Sequence, residues 1–421
     1  MSIFEISAVL IGLSAVFGYL NYRFLRLPHT IGLVLIALAA SLGIILVEIL
    51  SPASPVMDIV TDLLTQIDFH DTVMRGMLSF LLFAGALHVD FVAFRSRAPA
   101  IALMATVGIL LSTFVIGWIT WWLLNAFNIG IPFIWALVFG ALISPTDPVA
   151  VLGLFKTVSV PETLEAKMAG ESLFNDGVGV VVFTVIVAIA AGGTRVDPAS
   201  VAELFLTEAV GGAVLGLIAG YAGYRAMHRV DDHNLEVLIT LALVMVTYAL
   251  ALRLHMSGPI AMVVAGLFIG NRGMKYAVSE KSRDYIQKFW SLIDEILNSV
   301  LFLLIGLEVL VIAKLVDHVA VALLVIPVTL AARWLSVFLP ISVLSNWRSF
   351  TRGAVPILTW GGLRGGIAVA LALSLPANPY KPTILTITYA VVLFSIVVQG
   401  LTIKPLVERV VPRVDLAEPP A

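Results

Sequence analysis

Apolar residues in this chain come in blocks of about 20 positions separated by short polar connections, a length that suits helices crossing a bilayer. The blocks lie at 3–25, 29–50, 72–90, 98–125, 132–153, 165–191, 203–229, 232–253, 256–272, 288–313, 317–345, 354–376 and 382–407. They predict an all-α polytopic membrane protein with about thirteen transmembrane helices, spans one to thirteen, and leave no room for a soluble domain. The start Met1-Ser2-Ile3-Phe4-Glu5 lacks a basic n-region, so the first span is expected to be retained rather than cleaved as a signal peptide.

Charge on the connections orients the spans. With the N-terminus outside, the inner loops carry fifteen basic residues and the C-terminal tail adds Lys404, Arg409 and Arg413, whereas the outer loops carry only Arg195, Arg253, Lys314 and Lys381. Eighteen against four is a strong positive-inside bias, and adding or removing one mid-chain span would scramble it. The C-terminus is expected on the cytoplasmic side.

Composition agrees. Of 421 residues 60% are hydrophobic and 12% charged, about half the charge of ordinary soluble domains, which carry roughly 25%. A mean hydropathy of +1.04 cannot be hidden in one soluble core, because surface grows with size and must stay polar. The absence of Cys excludes disulfides and Cys-ligated metals, and a net charge of −2 gives no support for a nucleic-acid partner. No G-x-S-x-G, H-E-x-x-H or G-x-x-x-x-G-K-[ST] motif occurs, so a hydrolase of those classes or a nucleotide-driven pump lacks its chemistry. No cofactor is expected.

The informative residues are the polar ones inside the apolar blocks. A carboxylate at bilayer depth costs at least ~2.5–3.5 kcal/mol and reads as functional by default. Span five contains Ser144-Pro145-Thr146-Asp147-Pro148. Each proline lacks an N–H and clashes with the preceding turn, so the carbonyls of Ala141 and Ser144 should lose their helical donors. Such backbone survives at depth only inside protein or along a wet cavity. A broken helix presenting Asp147, the Thr146 hydroxyl and free carbonyls to a cation is the reading.

Span six carries Glu171-Ser172-Leu173-Phe174-Asn175-Asp176-Gly177. At helical spacing Glu171, Ser172, Asn175 and Asp176 fall within an arc of about 140°. Asn-Asp-Gly alone would suit a hairpin turn, but 178–191 continues apolar and a turn would leave no complete span. Asp147 and Asp176, with hydroxyl and amide oxygens beside them, make a hard-oxygen site suited to hard cations. Protons would compete, since a desolvated aspartate holds its proton more tightly. Span twelve holds Trp360-Gly361-Gly362-Leu363-Arg364-Gly365-Gly366, a glycine-loosened helix with a guanidinium near its middle, for which a carboxylate partner is expected. Arg75, Arg333 and Glu308 also fall inside spans, with pairing or snorkelling as their expected fate. Gly212, Gly216 and Gly220 in span seven repeat at i+4 and predict a close helix-packing face.

Thirteen spans divide as six, one, six. Residues 1–191 would form a first repeat, 203–229 a linker helix, 232–407 an inverted second repeat, and 408–421 a short tail. Interrupted spans five and twelve are each fifth in their half, the plan of many secondary transporters.

At these residues the chain resembles the NhaP-type monovalent cation/proton antiporters, relatives of the eukaryotic sodium/proton exchangers. The resemblance is carried by Ser144-Pro145-Thr146-Asp147-Pro148-Val149-Ala150, by the Glu171–Gly177 motif and by Gly361-Gly362-Leu363-Arg364-Gly365. Ser257-Gly258-Pro259-Ile260-Ala261 and Phe302–Glu308 add to it. It covers about residues 70 to 400. It implies an NhaA-like inverted-repeat fold, usually a homodimer, exchanging Na+ or Li+ for H+. It further implies that Asp176 and Asp147 bind the ion with Thr146, Ser172 and Asn175 around them, and that Glu171 and Arg364 form a structural ion pair. Asn175, the residue before Asp176, goes with electroneutral members of the fold. One departure is plain: several members carry an acidic residue in the third span, where this chain reads Leu82-Phe83-Ala84-Gly85-Ala86-Leu87. The alternatives are a K+/H+ antiporter on the same fold, a cation channel, which should show a filter loop or charged ring, and an intramembrane aspartyl hydrolase using Asp147 and Asp176.

Overall fold

The structure, a computed structural model, describes residues 2–410 except 52–56, 58–59, 62–63, 65–66, 68, 90–99, 148–150, 152–161, 193–197, 314–318 and 345–352. Pro148, Val149, Ala150 and tail residues 411–421 lie outside the described residues, as does the side chain of Arg75. Among the described residues the fold is helical, and its one β-type feature is an isolated bridge between Asp147 and Leu363.

Among the described residues eight helices are long and apolar enough to cross a membrane: Phe4–Leu25, His29–Leu50, Ala100–Ala126, Lys167–Ala190, Glu203–Met227, His233–Arg253, Val319–Leu344 and Lys381–Val410. They coincide with spans one, two, four, six, seven, eight, eleven and thirteen. The other five expected spans are helical too, but shorter, broken or polar at one end. Span three is pieced together from a π-helical turn, Thr72–Met77, and the helix Leu78–Leu87. Span five is the helix Phe133–Ile143, span nine Gly258–Phe268 and span ten Glu280–Leu307. Span twelve is two half-helices, Ala354–Trp360 and Gly366–Leu373.

Local chemistry sets several of these starts. Asp232 accepts from the backbone N–H of Asn234 and Leu235 at 2.9 and 3.1 Å, opening span eight. Ser257 accepts from Ile260 N–H with Pro259 in the first turn of span nine. Both arrangements satisfy donors that a helix start leaves orphaned.

Packing follows the small residues. The span-seven stripe lies against span nine: a Cβ added at Gly212 would sit 2.5 Å from the carbonyl oxygen of Ser257, and one at Gly216 2.3 Å from that of Ala261. The close-packing face expected from the i+4 glycines is therefore present. Span three meets span ten where Phe83 and Trp290 approach to 4.7 Å between ring centroids, and Trp290 Nε1 donates to Thr240 Oγ1 of span eight at 3.0 Å. Trp118, Trp122, Leu217, Ile218 and Val246 are exposed on the outside, as suits a protein whose solvent there is lipid. Deeper in, a Cβ at Gly140 would fall 2.2 Å from the Thr113 carbonyl oxygen and one at Gly179 2.3 Å from Pro145 Cγ. Spans four and six are thus drawn tightly onto span five at its break.

Candidate functional site

The helix of span five stops at Ile143, and Ser144 N–H reaches back to the Ala141 carbonyl at 3.4 Å. Pro145 has no N–H to continue the ladder, so the chain runs on non-helically through Thr146 and Asp147. Span six grips this stretch. Asn175 accepts from Thr146 N–H at 3.2 Å and donates through Nδ2 to Thr146 Oγ1 at 2.7 Å. Ser172, one turn earlier, donates its hydroxyl to the Thr146 carbonyl. Three hydrogen bonds from residues spaced i, i+3 hold Thr146, and all three side chains are buried.

The second break is held in a similar way. Between its half-helices, Arg364 N–H donates to Ser395 Oγ at 2.9 Å, Ser395 donates to Gln399 Oε1 at 2.7 Å, and Gln399 Nε2 donates to the Trp360 carbonyl at 2.9 Å. Ser395 and Gln399 belong to a π-helical turn of span thirteen. Each broken helix, span five and span twelve, is braced by polar side chains of the span that follows it. Ser395 and Gln399 were not anticipated from the sequence, although two polar residues one turn apart within an apolar block were a visible signal.

The two breaks cross. Asp147 N–H donates to the Leu363 carbonyl at 2.8 Å, the antiparallel bridge noted above. The Asp147 side chain lies over Gly365, where an added Cβ would stand 2.1 Å from Oδ2. Arg364 donates Nη1 to the carbonyls of Ser144 and Pro145, the latter at 2.8 Å. A guanidinium thus supplies the donors that proline removes, at the negative end of the first half-helix.

This corrects the expected Glu171–Arg364 ion pair. Glu171 instead pairs with Arg333 of span eleven in a bidentate contact, Nη1 to Oε1 and Nη2 to Oε2, the latter at 3.0 Å. Arg333 also donates Nε and Nη2 to the Leu358 carbonyl at 3.2 and 3.0 Å, closing the end of the first half-helix of span twelve. Gly362 makes the approach possible, since a Cβ there would lie 2.4 Å from Arg333 Nε. The physical reason for the exchange is that each broken helix presents orphaned carbonyls, so both arginines are drawn to helix ends. Only Arg333 also presents its fork to the carboxylate.

Asp176 stands apart from this scaffold. It is 8% exposed, accepts no hydrogen bond among the described residues, and lies close enough to Asp147 for the two carboxylates to repel. The polar oxygens around it are largely committed to one another, which leaves Asp176 as the acid at this crossing available to a mobile partner. Of the remaining intramembrane candidates, Glu308 is buried at the end of the span-ten helix, near the buried hydroxyl of Tyr389.

Comparison with known proteins agrees with this architecture. The family described as "Sodium/hydrogen exchanger, transmembrane" matches residues 12–409. The Na+/H+ antiporter NhaP of Pseudomonas aeruginosa is 48% identical over 412 residues, covering 96% of each chain. The chain belongs to the sodium/hydrogen exchanger family. The Na+/H+ antiporter NhaH of Halobacillus dabanensis is 34% identical across 92% of this chain and 93% of its own. The solved sodium proton antiporter MjNhaP1 of Methanocaldococcus jannaschii superposes with a TM-score of 0.76 over 99% of this chain at 20% identity, which establishes the shared fold. The NhaP-type resemblance and the polytopic helical fold expected from the sequence are thereby shown, and these relatives are named as transporters, not enzymes.

Within this exchanger-family fold, Gly365 offers a sharp local test. Alanine there forces its methyl against the Asp147 carboxylate, and overpacking of this kind costs about 1–3 kcal/mol. Gly365→Ala is expected to lower both the melting temperature and sodium-dependent proton flux. Parent-like values for both would show that the breaks do not cross this closely. The span-three departure is also located: a Cβ at Gly85 would meet Leu173 Cδ1 of span six at an ordinary 3.7 Å.

Proposed function

We propose that this protein is a secondary active transporter exchanging Na+, or Li+, for H+, one for one, by alternating access at Asp176 and Asp147. The observation that carries the reading is Asp176: a buried acid with no hydrogen bond among the described residues, beside a second aspartate where two broken helices cross. A bare carboxylate in such surroundings is costly, and either a proton or a monovalent cation relieves that cost. The two occupants therefore exclude each other, which is the requirement for exchange. Thr146, Ser172 and Asn175 position the backbone around the acids, and ligands to a dehydrated cation would come from this same set. The relatives' names as Na+/H+ antiporters support sodium as the substrate.

The matching braces, span six on span five and span thirteen on span twelve, support two inverted repeats at 1–191 and 232–407 joined by the span-seven helix. The loop charges support an N-terminus outside, and the family resemblance supports an inner-membrane location and a homodimer.

Electroneutrality follows from counting carriers. Asn175 cannot titrate, so Asp176 alone shuttles between a proton and one monovalent ion while Asp147 keeps one protonation state. Each half-cycle then moves the same charge, and the membrane potential does no work. A cycle that moved net charge would gain about 2.3 kcal/mol per charge per 100 mV. In proteoliposomes clamped with valinomycin and potassium, exchange rate and final sodium distribution are expected to ignore the imposed potential. A steady transport current, or a sodium distribution that follows the potential, would show a second proton being carried.

A further inference from the structure

At the junction of spans one and two, the helix does not end simply. A π-helical turn, Asn21–Leu25, is followed by Arg26 in the left-handed region (φ 54°, ψ 32°). Left-handed backbone at a non-glycine residue persists only where the surroundings hold it. Here Asn21 does so: its amide donates to the Leu27 carbonyl at 3.0 Å and accepts from Leu27 N–H at 3.2 Å. Gly32 makes room, because a Cβ there would fall 2.2 Å from Asn21 Cγ. The turn is a built feature rather than a frayed end.

It lines an open cavity of about 500 Å³, with Asn21, Tyr22, Arg23, Arg26 and His29 among its walls. Among the described residues neither guanidinium has an ion-pair partner, and both arginines are exposed. His29 opens the helix His29–Leu50, whose start has no side-chain cap. The orphaned N–H groups and positive dipole end of that 22-residue helix therefore add to the two arginines. Tyr22 of this lining and its chain neighbours Tyr19, Phe24 and Leu25 are exposed, giving the turn an aromatic and apolar rim of the kind found at headgroup level.

We infer that this cavity binds the phosphate of an anionic phospholipid headgroup, with Arg23 and Arg26 as the charged contacts and the aromatic rim seating the lipid's glycerol end. A phosphate matches paired guanidinium forks. The apolar rim selects a ligand that carries acyl chains over free phosphate. The basic residues place the cavity on the side of the membrane assigned to the cytoplasm, where anionic lipid attracts such clusters.

The test is a lipid titration of the full-length protein in detergent, read by native mass spectrometry with phosphatidylglycerol or phosphatidylcholine. The parent should retain phosphatidylglycerol preferentially. Arg23→Gln/Arg26→Gln should weaken that binding by about 30-fold, the sum of two surface arginine contacts. Arg225→Gln/Arg229→Gln, which removes an exposed pair elsewhere, should bind like the parent. The melting temperature of the Arg23/Arg26 variant in lipid-free detergent should be unchanged, since both side chains are exposed. Millimolar inorganic phosphate should fail to displace the lipid from the parent. Equal binding by parent and the Arg23/Arg26 variant, or no preference for phosphatidylglycerol, would overturn the site. Displacement by inorganic phosphate would overturn the lipid as its ligand and assign the cavity to free phosphate.

Discussion

Asparagine in place of Asp176 is expected to abolish sodium-dependent proton flux while leaving a folded, membrane-inserted protein. The amide is close in shape to the carboxylate, and Asp176 makes no hydrogen bond among the described residues that the change would break. What is lost is the ability to take up a proton and the charge that compensates a bare cation. Stability should stay level or rise, since a buried like-charge neighbour of Asp147 disappears. Flux and melting temperature measured on the same preparation separate this from unfolding. Near-normal exchange by Asp176→Asn would remove Asp176 from the mechanism. Asp147→Asn should also impair transport, at the neighbouring position where the two breaks are bridged.

The largest effect on stability is expected at Glu171 and Arg333. Removing either partner of a buried ion pair strands the other charge at a cost of about 3–5 kcal/mol. Both side chains are buried, and their contact is bidentate. Arg333→Ala and Glu171→Ala should each sharply lower the melting temperature or the yield of folded protein. The double variant Glu171→Gln/Arg333→Gln should recover much of the loss, because no charge is left uncompensated. A cycle between Glu171 and Arg364 should show weaker coupling, since Arg364 spends its hydrogen bonds on the Ser144 and Pro145 carbonyls. Stronger coupling to Arg364 than to Arg333 would reverse the assignment.

Much of the site was legible in the sequence because the membrane makes polar residues conspicuous. Pro145 marked the break in span five, the glycines around Arg364 marked that in span twelve, and helical spacing placed Ser172, Asn175 and Asp176 on one face. The structure brings those residues together with Thr146 and Asp147. The partner of Glu171 was not legible. Arg75, Arg333 and Arg364 all lie inside spans, and choosing among them depends on how spans eleven and twelve cross, which one-dimensional spacing does not encode. The demand that each broken helix end finds donors was nonetheless readable from Pro145, and it accounts for where Arg364 goes. Ser395 and Gln399 escaped notice for a related reason. Uncharged polar residues cost less at depth than charged ones, so they read as incidental until the backbone they hold is seen to be broken.

The exchange claim itself is tested most directly by proton flux into proteoliposomes loaded with the purified protein, with each alkali chloride added in turn. Saturable proton movement driven by an outward or inward sodium gradient, shared by lithium and absent without a counter-ion, is the expected result. Cation flux that proceeds without opposing proton movement, and does not saturate, would contradict exchange and identify a channel.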